Sequence, residues 1–244
     1  MPDDFLPDAE GGRFPATRRS AVVAVASDDP AERARSYEIL VRAYWKPVYK
    51  YLRLRFRKDA EEARDLTQDF FARAFEKRYF ATFDPALARF RTYLKACLDR
   101  FVMEQTRNEK RQKRGGDAVR LSLDFDAAEG ELGHAVGGVE EVFDREWVRG
   151  LFSAAVDALR EGCAASGKGV RFAVFQRYVL DDAPERPTYA ELGAELSIPV
   201  TDVTNHLSFA RREFRRLVLE RLRELTATEE EFKSEARAVL GVDA

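Results

Sequence analysis

Apolar residues recur along most of this chain at the spacing of three and four positions that places them on one face of an α-helix. The clearest run consists of Val203, Leu207, Ala210, Phe214 and Leu217. No stretch of useful length alternates with the period of two that predicts a β-strand. The pattern therefore predicts an all-α fold. The predicted helices cover approximately residues 29–44, 47–56, 59–77, 90–114, 145–161, 170–181, 188–197 and 201–225.

These helices form two groups, and the segment between them has no sustained period. It is rich in Gly, Asp and Glu, which predicts two small helical bundles joined by a flexible acidic linker. The N-terminal residues are rich in Pro, Gly, Asp and Arg and are predicted to be disordered. The predicted division is a disordered tail over 1–27, a first domain over 28–115, the linker over 116–144, a second domain over 145–226 and an extension over 227–244. In the helix over 59–77 we expect Leu66, Phe70, Ala74 and Phe75 to face inward.

The helices over 188–197 and 201–225 carry the signals of a helix-turn-helix. Thr188 precedes Glu191 by three residues, the spacing of a capping box, and Ser197-Ile198-Pro199 ends the first helix. Outside the apolar stripe, the second helix has small polar residues first and arginines afterwards, an order that suits base edges and then phosphates. Asn205 is the best candidate for a base contact, and His206 flanks it. The predicted DNA-binding residues are Thr201, Asp202, Thr204, Asn205, His206, Ser208, Arg211 and Arg212, with Arg215 and Arg216 on the same face. The alternative is an ordinary pair of helices with a solvated basic face.

Charge is distributed unevenly along the chain. The formal net charge is −2, but residues 107–114 carry a local charge of +4, residues 205–223 another +4 and residues 124–146 a charge of −7. Counterion release on DNA binding responds to local charge, so the overall balance does not argue against nucleic acid. A solvated surface would explain one basic run, but two runs on helix surfaces favour DNA.

The remaining composition excludes several classes of function. No apolar run reaches the length of a membrane span and no signal peptide is present, so we expect a cytoplasmic protein without a membrane partner. Cys97, Cys163, His134 and His206 have no metal-type spacing, and we expect neither a metal nor a cofactor. No glycine-rich phosphate loop or catalytic triad order appears, so we expect no enzymatic activity and no small-molecule substrate.

Three motifs in this order resemble bacterial RNA polymerase sigma factors of the extracytoplasmic-function (ECF) group of the sigma-70 family. They are DLTQDFFARAF (65–75), FRTYLKACLDRFVMEQTRNEKRQKR (90–114) and FARREFRRL (209–217), and the resemblance covers about residues 30–225. It implies a first domain that binds core polymerase and the minus-10 element and a second domain that binds the minus-35 element. A sigma factor has no catalytic chemistry of its own. It binds core RNA polymerase, through the β′ clamp and the β flap, and directs it to promoter DNA.

The resemblance also implies roles for particular residues. Asp65, Gln68 and Asp69 would face the polymerase β′ clamp, and a phosphate on Thr67 would alter that contact. Phe80 and Phe83 match the place where an unstacked base is captured, although both rings could instead be core. The implied minus-10 residues are Phe80, Phe83, Lys95, Arg100, Glu104, Arg107, Lys110 and Arg111, with Lys113 and Arg114 as further phosphate contacts.

Two departures from the family pattern prevent a prediction of the promoter sequence. Arg100 stands where the family commonly has Asn, and Asp202 stands where Thr or Ser is usual. The resemblance leaves an anti-sigma factor or a protein kinase open as a further partner. The main alternative function is a repressor or activator that binds a palindromic operator alone, with a first bundle that dimerises or senses a ligand.

Overall fold

Helices form most of the computed structural model, which describes residues 19–109, 123–132, 137–182 and 185–241. Within those ranges there is no β-strand, and the all-α prediction is confirmed. The helices are α1 (Ala21–Ala24), α2 (Pro30–Arg55), α3 (Ala60–Glu76), α4 (Phe90–Glu109), α5 (Phe125–Gly130), α6 (Val139–Ala165), α7 (Gly169–Phe175), α8 (Tyr189–Leu196), α9 (Val200–Glu224) and α10 (Glu229–Leu240). A 3₁₀ turn over Tyr79–Thr82 precedes α4, and a π-helical segment over Gln176–Leu180 follows α7.

Side-chain caps fix where several helices begin. Asp29 accepts a hydrogen bond from the Ala31 amide at 2.9 Å at the start of α2, and Asp59 accepts from the Glu62 amide at 2.8 Å at the start of α3. The prediction of separate helices over residues 29–44 and 47–56 placed a break at Pro47. Instead α2 continues through it as one helix of 26 residues, with Pro47 itself buried.

The first hydrophobic core lies between α2, α3 and α4, and α1 closes one side of it. Leu40, Phe70 and Phe90 are fully buried there. Ala21 and Val22, which fell within the predicted disordered tail, are also buried in this core, whereas residues 1–18 of that tail lie outside the described residues.

The inward-facing prediction for α3 holds with one exception. Leu66, Phe70 and Ala74 are buried, but 44% of Phe75 is exposed and its ring contacts that of Tyr37 at the edge of the core. Phe75 is one turn closer to the end of α3 than Phe71, which takes the buried position instead.

The predicted linker is structured where the structure describes it. Phe125 and Ala128 of α5 are buried in the first core, and α6 begins at Val139 rather than near Arg145. Phe143 and Trp147, on the first turns of α6, are buried in the same core. The acidic segment therefore packs against the first domain over residues 123–132 and 139–144.

Ion pairs attach α5 and α6 to α2. Lys50 is only 2% exposed, and its Nζ lies 2.6 Å from both Glu131 Oε2 and Glu146 Oε2. Arg53 Nε donates to Glu129 Oε2 at 2.9 Å, and the Tyr49 hydroxyl donates to the same oxygen at 2.5 Å. Carboxylates of the predicted linker, together with Glu146 of the predicted second domain, thus neutralise basic residues of α2.

The extension after residue 226 also belongs to the first core. Leu222 and Leu225 at the end of α9 and Phe232 and Ala236 of α10 are buried in it. Thr228 caps α10 by accepting from the Glu231 amide at 3.1 Å. The C-terminal helix consequently completes the N-terminal domain.

Two smaller clusters hold the rest of the second domain. Leu159 and Cys163 of α6 pack with Phe172 and Phe175 of α7 and with Ala210 of α9. A separate cluster joins α7, α8 and α9 through Val174, Leu192, Val203 and Leu207. Helix α6 thus contributes one end to the first core and the other end to the second domain.

Candidate nucleic-acid interface

The predicted cap and turn before α9 are present. The Glu191 amide donates to Thr188 Oγ1 at 3.2 Å, and the Thr188 amide donates to Glu191 Oε2 at 2.7 Å, which completes the capping box. Ser197 adopts a left-handed conformation with φ 55°, and the Ile198 amide donates to the Gly193 carbonyl at 2.9 Å. Helix α8 therefore ends in a tight turn that leads directly to Pro199 and α9.

Gly193 permits the close approach of this turn to α8. A Cβ atom at this position would lie 2.9 Å from the Ile198 carbonyl oxygen, which is nearer than side-chain carbons normally come to backbone atoms. The pairing of α8 with α9 thus depends on the absence of a side chain at residue 193.

Helix α9 separates its apolar and polar residues as predicted. Val203, Leu207 and Ala210 are buried, and Phe214 and Leu217 pack at the edge of the α6–α7 cluster. The opposite side is solvent-facing. Its exposed residues are Thr201, Thr204, Asn205, Ser208, Arg211, Arg212, Arg215 and Arg216, whereas Asp202 and His206 are half-buried.

Of the four arginines on the predicted DNA-binding face of α9, two have partners within the chain. Arg216 lies between Glu213, at 2.6 Å, and Glu220, and its guanidinium lowers the pKa of the Glu213 carboxyl. Arg211 lies over the ring of Tyr178, 5.6 Å from the ring centre. Arg212 and Arg215 are exposed and form no ion pair among the described residues.

Helix α4 divides the residues that were predicted to bind the minus-10 element. Arg100, Glu104 and Arg107 are exposed on one side. Lys95 lies about 140° around the helix from Arg100, where its ammonium pairs with Glu140 of α6 and lies 5.3 Å from the Phe143 ring centre. Lys110, Arg111, Lys113 and Arg114 lie outside the described residues.

The two phenylalanines predicted to capture a base are in different environments, and neither is an open aromatic platform. Phe80 is 2% exposed and packs against Tyr37, Phe70 and Phe90, so in this conformation it is a core residue. Phe83 is half-buried, with its ring edge-on to Phe90 at 5.2 Å. The loop before α4 instead exposes Leu87, at 84%.

The predicted polymerase face lies along α3. Asp65 is exposed, and Gln68 and Asp69 are half-buried; partial burial raises the pKa of the Asp69 carboxyl. Asp65 and Gln68 line a groove of about 410 Å³ between α3 and the segment that begins α5. Helix α5 thus forms the second wall of this face.

The structure does not support Thr67 as an accessible phosphorylation site. Thr67 is fully buried, and its hydroxyl donates to the Ala63 carbonyl at 2.7 Å within α3. The threonine faces the core because it follows the same helical row as Ala63 and Phe71, whereas the flanking acidic residues face outward.

No metal-binding cluster of His, Cys, Asp and Glu occurs among the residues that the structure describes. Both cysteines are free thiols, and burial raises the pKa of Cys97 and of Cys163. None of the helices in the described ranges combines the length and the apolar character that a bilayer span requires.

An all-helical fold with an exposed polar and basic helix after a tight turn defines a class of helical DNA-binding regulators. A comparison with family models is more specific, because residues 23–220 match the model described as ECF sigma factor. The match covers most of the chain, and the chain belongs to this family. ECF sigma factors bind core RNA polymerase and direct promoter-specific transcription initiation. No curated protein and no solved structure matched the chain significantly.

Proposed function

We propose that the two helical faces of this sigma factor divide promoter recognition between them. The exposed face of α9 reads the minus-35 element, and the exposed side of α4 contacts the minus-10 element. The observation that carries this division is the segregation on α9, where the apolar stripe is buried and the polar and basic residues are exposed. A helix held by its apolar face and presenting the other face is suited to the major groove.

On α9, position along the helix distinguishes base contacts from phosphate contacts. Asn205 and the exposed hydroxyls of Thr201, Thr204 and Ser208 lie within the first nine residues of α9, where side chains of a recognition helix reach base edges. Arg211 and Arg212 lie further along and neutralise phosphates. Asp202 is in the first turn, where its carboxylate also complements the helix dipole.

On α4, Arg100 and Arg107 are the proposed phosphate contacts, and Glu104 lies between them on the same exposed side. Phe83 remains the proposed aromatic contact because part of its ring is accessible, and Phe80 packs in the core against Phe90, whose ring also contacts Phe83. Lys95 can contribute only when its ion pair with Glu140 opens.

The acidic and amide side chains of α3 are the proposed contact with the polymerase β′ clamp, and the second domain is the proposed contact with the β flap. Asp65, Gln68 and Asp69 form a polar face that suits an arginine-rich partner. Because promoter DNA and polymerase share the bacterial cytoplasm, we place the protein there. Its proposed role is positional, and no chemical step is assigned to its own side chains.

Run-off transcription tests this proposal. Purified sigma-free core polymerase would be incubated with fragmented genomic DNA, with and without the protein. We expect discrete new start sites that require the protein and share two conserved elements upstream. An absence of transcripts, together with tight binding of the isolated protein to a palindromic operator, would contradict the sigma-factor mechanism and support a stand-alone repressor or activator.

A further inference from the structure

Three hydrogen-bond donors converge where the loop after Phe83 enters α4. They are the guanidinium groups of Arg89 and Arg91 and the backbone amide of Phe90, the first residue of the helix. Two guanidiniums beside a helix N-terminal amide make a donor set that suits a phosphate group.

In this structure, carboxylates of α10 occupy all three donors. Glu235 Oε1 lies 3.0 Å from Arg89 Nη1 and 2.5 Å from Arg91 Nη2, and Glu231 Oε1 accepts from the Phe90 amide at 3.4 Å. The Ser234 hydroxyl accepts from Arg89 Nη2 at 2.9 Å. The oxygens of α10 thus take the positions that the oxygens of a nucleic-acid phosphate would take.

The burial of these groups shows how completely α10 covers the donors. The Glu235 side chain is 2% exposed and that of Arg91 is 13% exposed, whereas that of Arg89 is 50% exposed. Arg91 also pairs with Asp144 at 3.0 Å, and its guanidinium lies 4.1 Å from the Trp147 ring centre. DNA cannot reach Arg91 or the Phe90 amide while α10 is in place.

Helix α10 depends on its contacts with the rest of the chain for its stability. It has 12 residues, which is short for an independently stable helix, and it is joined to α9 by the short segment from Leu225 to Thr228. Phe232 and Ala236 hold it to the core, and Arg223 supports it by pairing with Glu229 at 2.7 Å.

We propose that Arg89 and Arg91, at the N-terminal end of α4, are further contacts to the promoter backbone, separate from the minus-10 residues Arg100, Glu104 and Arg107 further along the helix, and that α10 competes with DNA for them. In the free protein Glu235 pairs with both guanidiniums, and α10 must leave this position before DNA binds there. The inference rests on the proposed function, because it concerns the DNA surface of the same domain.

The test compares Glu235→Gln with Glu230→Gln. The first removes the charge that bridges Arg89 and Arg91 but keeps the size of the side chain. The second makes the same change of charge at an exposed residue of the same helix. Both are made in a background with Arg212→Ala and Arg215→Ala, which weakens DNA binding by α9. The probe is a fluorescent single strand of about 20 nucleotides, longer than the binding site of one small domain, followed by anisotropy.

We expect Glu235→Gln to bind the strand at least about threefold more tightly than the background protein, because a competing charge has been removed. Glu230→Gln should stay near the background value, and Arg89→Gln with Arg91→Gln should abolish the gain. Equal affinities for the two glutamine variants, with unchanged helicity and thermal unfolding, would overturn the proposal. So would a gain that persists without the two arginines.

Run-off transcription separates this inference from the proposed function. If the unmodified protein directs transcription but Glu235→Gln brings no gain in DNA binding, only the competition by α10 is wrong. If Glu235→Gln binds DNA more tightly but no form of the protein directs transcription, the competition stands and the proposed function is wrong.

Discussion

Arginines on α9 differ in how far their charges are already compensated. The guanidinium of Arg216 is held by Glu213 and Glu220, whereas Arg212 is exposed and has no ion pair among the described residues. A phosphate would have to displace two carboxylates to reach Arg216. Substitution of Arg212 and of Arg216 can therefore be compared. Both remove one positive charge from α9, but only Arg212 is free of ion pairs among the described residues and available to a phosphate.

We expect Arg212→Ala to weaken binding to the minus-35 element uniformly across sequences and to reduce the slope of log Kd against log salt by about 1. Arg216→Ala should reduce the slope by less than half as much. The measurement is anisotropy with a duplex from a start site found by run-off transcription, at several salt concentrations. Equal slopes for the two variants would show that internal pairing does not decide which arginines bind phosphate.

The residues whose roles depend on local spacing could be predicted from the sequence, and those whose roles depend on distant partners could not. The capping box of Thr188 and Glu191 and the stripe from Val203 to Leu217 are set by neighbours in the chain, and both are present. Thr67 was assigned to the surface because acidic residues flank it. Its burial depends on the packing of α3 in the core, which the neighbouring residues do not reveal.

Among the helices, the pairing of α8 with α9 depends on Gly193. Gly193→Ala places a carbon 2.9 Å from the Ile198 carbonyl oxygen, and the turn must move to accept it. We expect a net loss of about 1–3 kcal/mol in the free energy of unfolding, despite the better helix propensity of alanine.

Gly150→Ala is the matched control for this prediction. Gly150 is exposed in the middle of α6, and a Cβ there would meet no atom within 4 Å. This substitution should stabilise the protein by about 0.5–1 kcal/mol. Thermal unfolding measures both variants, and a stabilising effect of Gly193→Ala would show that the turn is not closely packed.

Helix α5 shows why a linker was predicted where a packed helix exists. Residues 124–146 carry eight carboxylates and one arginine, a composition that indicates a solvated segment when it is considered alone. Their partners, Lys50 and Arg53 of α2, are 76 to 96 residues away in the chain. Only two residues of α5, Phe125 and Ala128, are buried in the core. Two apolar positions are too few to establish a helical period in the sequence.

The ion pair between Arg53 and Glu129 makes the stability of the first domain depend on pH. The Arg53 guanidinium holds the pKa of the Glu129 carboxyl below its usual value of 4.5. Because the folded state lowers this pKa, the pair stabilises the protein at neutral pH, and the contribution is lost as the pH falls below about 4.5.

We expect Glu129→Gln to lower the free energy of unfolding at pH 7 by about 1 kcal/mol, since the pair is partly exposed. Its stability should then change less than that of the unmodified protein between pH 5 and pH 3, because one titrating group is gone. Glu38→Gln, in an exposed pair with Arg42, is the control and should change neither quantity. Denaturant unfolding at each pH provides the measurement. If the free energy of unfolding of Glu129→Gln falls with pH in parallel with that of the unmodified protein, Glu129 does not contribute to the pH dependence.

At the scale of the whole molecule, the core of the first domain is assembled from distant parts of the sequence. Phe90 of α4 packs in the same core as Phe143 of α6 and Phe232 of α10. A division at residue 115 leaves α2, α3 and α4 without these partners. The two domains predicted from the pattern of helices are therefore not separate in their packing.

A fragment of residues 28–115 contains α2, α3 and α4. We expect these residues to be less helical in the fragment than in the intact protein, and we expect the fragment to lack a cooperative thermal transition. A fragment of residues 28–151 should recover part of both, because it restores Phe125, Phe143 and Trp147 to the core. Circular dichroism during heating measures each fragment. A fragment of residues 28–115 with the same transition temperature as the intact protein would show that the first domain needs no later segment.

Helix α6 extends from the first core, at Phe143, to the second domain, at Cys163, and this limits how the protein can be recombined with its relatives. A chimera joined inside the acidic segment would give one parent's α5 and α6 to the other parent's α2, and the buried charge of Lys50 would lose its two glutamates. The stretch of α6 around the exposed Ser153 is a better junction, since it lies between Leu151, which is buried in the first core, and Leu159, which is buried in the second domain. Because α10 packs in the same core as α4, both helices must come from the same parent even with this junction. Exchanging promoter preference between such proteins therefore requires at least two junctions, one in α6 and one before α10.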